Sequence, residues 1–217
     1  MSQLTFQFPF KKTYYEKDFY VSSNNFQTYK LIESWPNWPS KVINIFGPSG
    51  CGKTHLSNII KKKIHSIILN EVDLKKIDLA SLKSYKCIVI DDFQNKTNEE
   101  FLYTFLNFTN QFNIHVLVNS KLSIKKFNVS LRDLKSRFES FLDIGINLPT
   151  DDLLRVILTK SFSEKQIKVN VKLLEYILKH IERSYEKIFQ FVKEIDIESL
   201  SSGKSININL IKKVLNK

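Results

Sequence analysis

The sequence predicts an α/β domain built on a five-stranded parallel sheet, followed by a small all-helical domain. Three observations lead there. Residues 47–54, Gly-Pro-Ser-Gly-Cys-Gly-Lys-Thr, complete the G-x-x-x-x-G-K-[ST] pattern of a phosphate loop between strand-like and helix-like segments. Short apolar runs alternate with helical patterns as far as residue 149. Beyond Leu148-Pro149-Thr150 only helical periodicity remains.

The elements follow in order. Residues 42–46 read as a buried strand feeding the loop, and residues 54–65 as the helix that leaves it. Three of the five glycines in the chain, Gly47, Gly50 and Gly52, sit in this loop with Pro48, Ser49 and Cys51. A loop of this kind turns backbone N–H groups inward, lets Lys53 reach the β/γ-phosphates and offers the Thr54 hydroxyl to Mg²⁺. The helix N-terminus behind it, entered at Thr54-His55, favours anions. Further apolar runs at 67–69, 87–90, 114–118 and 144–146 supply the other strands, with helices expected over 99–112 and 131–138. Such a sheet carries helices on both faces and places its ligand beyond the carboxyl ends of the strands. Helices are then expected over 151–163, 171–181 and 185–200, with a short one from 209. Thr150 and Asp151 are cap candidates, and Leu153, Leu154, Ile157 and Leu158 form an apolar stripe.

Composition bounds the function. Lys and Arg total 33 against 22 Asp and Glu, a formal charge of +11. That allows nucleic-acid contact, although lysine is abundant along the whole chain and much of the charge could be solvated surface. Cys51 and Cys87 make no disulfide framework and read as small buried side chains. No apolar run is long enough to span a bilayer, and the first residues lack the character of a secretory signal, so a cytoplasmic location is expected.

Four places beyond the loop bear chemistry. The strand at 87–90 ends in Asp91-Asp92; a phosphate-loop protein needs one carboxylate there to hold Mg²⁺, suiting Asp91, and one to polarise an attacking water, suiting Asp92. On their own two acids after a strand are often a turn; one strand after a phosphate loop they read as a Walker B pair. The next strand ends in Asn119-Ser120, where a polar side chain would meet the terminal phosphate; strands commonly end this way for no such reason. Arg137, in Leu-Lys-Ser-Arg-Phe, could be an arginine finger aimed at a neighbouring subunit's nucleotide or a surface arginine. Arg183, at the start of a later helix, could fold over phosphates or act as a cation near a cap.

In this order the motifs resemble the AAA+ core and lid of DnaA-type replication initiators. Gly-Lys-Thr-His-Leu is similar to that family's phosphate loop, and the stretch ending in Arg137-Phe138 to its arginine-finger motif. Asp18-Phe19-Tyr20-Val21 followed by Asn25 resembles the segment that wraps the adenine, which implies base contacts from Phe19 and Val21. The resemblance implies a tail at 1–12, an AAA+ nucleotide-binding domain at 13–149 and a helical lid at 150–217. No helix-turn-helix follows the lid and no oligomerisation domain precedes the core, so the chain resembles the Hda type, the DnaA-related regulatory inactivators of replication initiation. Gln3-Leu4-Thr5-Phe6-Gln7-Phe8 is similar to the peptide that docks on the bacterial DNA sliding clamp, with Gln3, Leu4, Phe6 and Phe8 as its anchors. It could equally be a strand packed on its own domain. The family pattern departs at Asn119-Ser120, where an Asp is usual, and at Asp133, where initiators carry a further arginine.

The implied function is a regulator that binds ADP or ATP with Mg²⁺ between core and lid. It would be tethered to the sliding clamp near the nucleoid and would stimulate ATP hydrolysis by DnaA through Arg137. Asp92 leaves weak turnover of its own open. A homo-oligomer is also open, and DNA contact would be indirect or weak. The competing expectations are a helicase-loader-type ATPase and a nucleotide-gated adaptor.

Overall fold

The apolar runs form one sheet. In a computed structural model, which describes residues 14–202 and 205–215, the strands are β1 (Val42–Phe46), β2 (Ser66–Asn70), β3 (Cys87–Phe93), β4 (His115–Ser120) and β5 (Leu142–Gly145). Their order is β2-β3-β4-β1-β5 and every pairing is parallel. The first and fourth strands are therefore neighbours, with β4 between the strand that feeds the phosphate loop and the strand that carries the acids. Crossover helices supply the connections parallel strands require.

Two faces follow from the alternation along each strand. Ile88, Ile90, Val116 and Val118 point to the side covered by α4 (Glu99–Gln111) and α5 (Arg132–Glu139), where they meet Leu102, Phe105, Leu106, Leu134 and Phe138. In α4 the buried positions Leu102, Phe105, Leu106 and Thr109 recur at helical spacing. Asn98 caps that helix by accepting from the Phe101 N–H at 3.0 Å, and Glu99 and Glu100 suit its positive end. The opposite side is covered by α1 (Phe26–Glu33) and α2 (Lys53–Lys63), whose Leu56, Ile59 and Ile60 are buried. Midway along β1 lies a polar residue, Asn44, fully buried. Its amide donates to Val118 O at 3.0 Å and Ser120 Oγ at 2.8 Å and accepts from the Ile124 N–H at 2.9 Å.

The elements differ from expectation at several ends. β3 runs on through Asp91-Asp92 to Phe93, with a register shift against β4 between Ile90 and Phe93, so the acids lie within the strand and not after it. β5 starts two residues earlier than its apolar run suggests. Neither α1 nor the single-turn α3 (Glu71–Leu74) was anticipated.

The residues divide into two compact units, one of Tyr14–Asn147 and one containing the chain from Leu148 onward. The second consists of α6 (Asp151–Glu164), α7 (Val171–His180), α8 (Tyr185–Ser202) and α9 (Ile208–Leu215) around Leu154, Leu158, Phe162, Ile177, Ile188, Phe191 and Ile211. Thr150 is the N-cap of α6, accepting from the Leu153 N–H at 3.4 Å, and Asn170 caps α7.

Candidate nucleotide site

The phosphate loop joins β1 to α2. Gly50 and Gly52 take φ of 81° and 100°, left-handed values that aim successive N–H groups toward one point and that other residues adopt only under strain. Gly47 is required for a different reason: a Cβ there would stand 2.6 Å from the Ile146 carbonyl oxygen. Cys51 is buried under the loop, and burial pushes its thiol up against the opposing pull of Lys53. The Lys53 ammonium donates to Gly47 O at 2.7 Å and Pro48 O at 3.0 Å, within reach of any anion the loop cradles. Ser49 is exposed at the tip.

The acids meet the loop across β4. Thr54 Oγ1 donates to Asp91 Oδ2 at 2.8 Å, and Asn119 Nδ2 donates to Asp91 Oδ1 at 2.8 Å and to Ser57 Oγ at 2.7 Å. One connected network thus links α2, β3 and β4. Asn119 and Ser120 point to opposite faces: Asn119 joins Asp91, while Ser120 Oγ accepts from Asn44 and donates to Leu122 O. The Asn119 Oδ1 atom is buried and has no hydrogen-bond partner. Asp92 is exposed, at φ 53°, its carboxylate accepting from Gln94 Nε2 at 2.9 Å.

This donor set fits a magnesium nucleotide. Thr54 and Asp91 put a hydroxyl and a carboxylate side by side, the hard oxygen ligands Mg²⁺ takes, with phosphates and water completing its shell. Among the described residues no group of three His, Cys, Asp or Glu could hold a metal unaided.

On the far side of the loop, Phe19 packs so closely that a Cβ on Gly52 would lie 2.8 Å from its Cε2. Its ring stacks on Tyr29 at 5.7 Å and meets the His55 ring edge-on at 5.4 Å. His55 Nε2 lies 2.7 Å from Tyr15 O, so this side chain braces the segment before Phe19. Asn25 pins the turn that carries Val21 by donating to Tyr20 O at 2.9 Å and accepting from the Ser22 N–H at 2.8 Å.

The remaining expected residues lie elsewhere. Arg137 is on α5, in the layer across the sheet from α2, where its Nη2 donates to Asn107 Oδ1 at 2.7 Å. Arg183 lies in the turn before α8 and not in its helix, forming a two-pronged pair with Asp151 at 2.8 and 3.0 Å. That pair is exposed on both sides, so exchanging the carboxylate for another anion is a small perturbation. Gln3, Leu4, Phe6 and Phe8 lie outside the described residues.

Two participants were missed from sequence. Ser57 sits three positions after Thr54, on the same helical face, and that spacing is a usable signal. Glu71 is buried at the start of α3, and its carboxylate accepts from the N–H groups of Gln94, Lys96 and Thr97 and from the Thr97 hydroxyl. It fixes the loop that follows Asp92. An isolated Glu in a Lys-rich stretch gives no such hint.

Comparison with known proteins matches this architecture. Residues 151–215 match the model of the Hda lid domain, and residues 43–127 match a model described as RNA helicase. The chromosomal replication initiator protein DnaA of Buchnera aphidicola subsp. Cinara cedri (strain Cc) is 30% identical over 217 residues, covering 88% of this chain and 49% of its own. The chain thus spans about half the length of that curated relative. Domain III of Thermotoga maritima DnaA superposes with a TM-score of 0.77 at 16% identity, covering 96% of this chain and 98% of that one. Aquifex aeolicus DnaA, solved with AMPPCP bound, gives 0.66 at 21% identity, with 86% and 66% covered. At such identities the two structures speak for the fold. With a DnaA relative aligned over most of the chain and the Hda model matching its last domain, the chain fits a DnaA-related protein whose lid is of the Hda type.

Proposed function

We propose that the chain binds ATP or ADP with Mg²⁺ at the phosphate loop and regulates replication initiation by stimulating ATP hydrolysis by DnaA. In this reading Lys53 and the loop amides hold the phosphates, Thr54 and Asp91 hold the ion, and Asn119 contacts the terminal phosphate or its water. The bound Mg²⁺ would neutralise phosphate charge. Phe19 and Val21 border the base, and Arg183 closes from the lid. The tail at Gln3–Phe8 tethers the protein to the DNA sliding clamp, and a partner DnaA docks against the surface that carries Arg137.

The observation that carries this reading is the position of Arg137. It stands in the α4–α5 layer, across the sheet from α2 and the phosphate loop, so its guanidinium is spare for another molecule's nucleotide. A cation inserted there stabilises charge spreading onto the transferring phosphoryl oxygens, and such fingers contribute about 10³–10⁵ in rate. Asn107 holds the guanidinium through one nitrogen only among the described residues, leaving its other N–H groups for that purpose.

The test is DnaA-bound ATP turnover with clamp loaded on DNA, comparing the intact chain with Arg137→Ala. The variant should bind nucleotide normally and lose stimulation by at least about 10²-fold. Normal stimulation would refute the finger. Asp92 favours a second reading, turnover by the chain itself; Asp92→Asn would abolish that activity, whereas a pure regulator would keep its effect on DnaA.

A further inference from the structure

The amino end of the sheet, a strand's length away from the phosphate loop, carries a second constellation. Its core runs across the entrances of four neighbouring strands, linked by backbone hydrogen bonds. The Lys86 N–H donates to His65 O at 2.9 Å, the His115 N–H to Lys86 O at 3.0 Å, and the Val116 N–H to Lys41 O at 2.8 Å. His65 and Lys86 are therefore paired at the entrances of β2 and β3, and His115 and Lys41 at those of β4 and β1; His115 lies opposite Cys87, one residue on from Lys86, so the two pairs lean to opposite sides of the same edge. Neighbouring strands are about 4.8 Å apart, so the four entrances span roughly 14 Å.

Aromatic rings are interleaved with these bases. His65 and Tyr85 stack at 4.6 Å with planes 16° apart. Lys83 Nζ lies 4.5 Å above Phe112, which is 37% exposed. At the β1–β4 end, Trp35 and Trp38 meet the His115 ring at 4.7 and 5.7 Å. None of the four is a carboxylate, and Lys41, Lys83 and Lys86 make no ion pair among the described residues. Glu33, at the end of α1, is held by Lys63. Burial and the charge of Lys41 keep His115 below its ordinary value.

Of the three lysines Lys83 lies over a ring, and an apolar docking face would not carry unpaired ammonium groups. Cations spaced along an edge with rings between them match a strand of phosphates whose bases are free to stack. We propose that this amino edge of the sheet binds single-stranded nucleic acid, with Lys41, Lys83 and Lys86 on phosphates and Trp35, His65 and Phe112 as stacking surfaces. Duplex is disfavoured, because its bases are already stacked and the edge offers no helix or ribbon to a groove.

The molecule carries its own reporter. Trp35 and Trp38 are the two tryptophans of the chain, so tryptophan emission reads this edge directly. Full-length protein is titrated with oligo(dT) and with duplex of the same length, following tryptophan quenching and the anisotropy of a label on the DNA. Single strand should quench and duplex should not, with an affinity slope near −2 against log salt for three phosphate contacts. The triple variant K41A/K83A/K86A should lose at least about tenfold in affinity. The control K121A/K125A/K126A removes the same charge near the carboxyl end of β4 and should keep binding. His65→Ala and Phe112→Ala, both at exposed positions, should weaken binding without changing the salt slope. Equal losses in the two triple variants, binding without quenching, equal preference for duplex, or no binding at low salt would each overturn the proposal.

Discussion

Replacing Glu71 with glutamine tests how the loop after the acidic strand is held. The wild-type carboxylate is nearly buried and faces donors only. Oε2 accepts from the Gln94 N–H at 2.9 Å; Oε1 accepts from the Thr97 N–H at 2.7 Å, from the Thr97 hydroxyl at 2.9 Å and from the Lys96 N–H. An amide must put its NH₂ where one oxygen was. The less damaging choice is the Oε2 site, which loses one charge-assisted bond and sets two donors against each other, while the surviving bonds fall to neutral strength. Charged bonds contribute about 1.5–3 kcal/mol each and neutral ones about 1, so the loss should be about 2–4 kcal/mol. For a chain of this size 3 kcal/mol corresponds to a drop in Tm of roughly 6–12 °C. Both tryptophans lie in the α/β unit, so unfolding followed by tryptophan emission isolates that unit from the lid. A loss below about 0.5 kcal/mol would refute the reasoning, since it would mean that water serves those donors equally well.

His115 has its pKa lowered by burial, so the unfolded chain binds the proton more readily; stability should be flat above the ordinary value near 6.5 and fall as pH drops through and below it. His115→Phe should flatten that slope in pH-dependent urea unfolding. Both cysteines should resist alkylation in the native protein at pH 8, because burial pushes the Cys51 thiol up and raises Cys87 to about 12; both should react in guanidinium, as thiol counting by mass would show. Gly52→Ala should cost at least 1–2 kcal/mol and weaken nucleotide binding at least tenfold in calorimetry, because its φ is left-handed and its Cβ would strike Phe19. Enlarging the space with Phe19→Leu should recover only part of that loss.

The features legible in sequence were those written in local pattern. The phosphate loop declares itself through glycine spacing, the strands through apolar runs, and the lid through a change of period after Pro149. Helix α1 escaped because its buried positions are few, Thr28, Leu31 and Ile32, and Phe26 at its start is exposed. Asp91 and Asp92 were recognised as a pair, but their backbone was not. The left-handed turn at Asp92 arises from the register shift between β3 and β4, a property of two strands remote in sequence. Asn119 and Ser120 could not be told apart beforehand. Alternation says that they face opposite ways, but which one faces the loop depends on β4 lying between β1 and β3. Ser57 has its spacing from Thr54 as a local signal, whereas Glu71 has none until packing encloses it.

The asparagine at the heart of β1 has a consequence for how the chain reaches this fold. A parallel sheet of Ile, Val and Leu has many nearly equivalent alignments, because one aliphatic residue packs much like the next. Asn44 breaks that degeneracy: only the native alignment offers Val118 O, Ser120 Oγ and the Ile124 N–H together. Sliding β1 by one residue would turn its amide toward α2, among Leu56, Ile59 and Ile60, and strand a buried polar group at a cost of about 1–3 kcal/mol. Misaligned intermediates are thereby made shallow traps, from which the first strand can detach and try again.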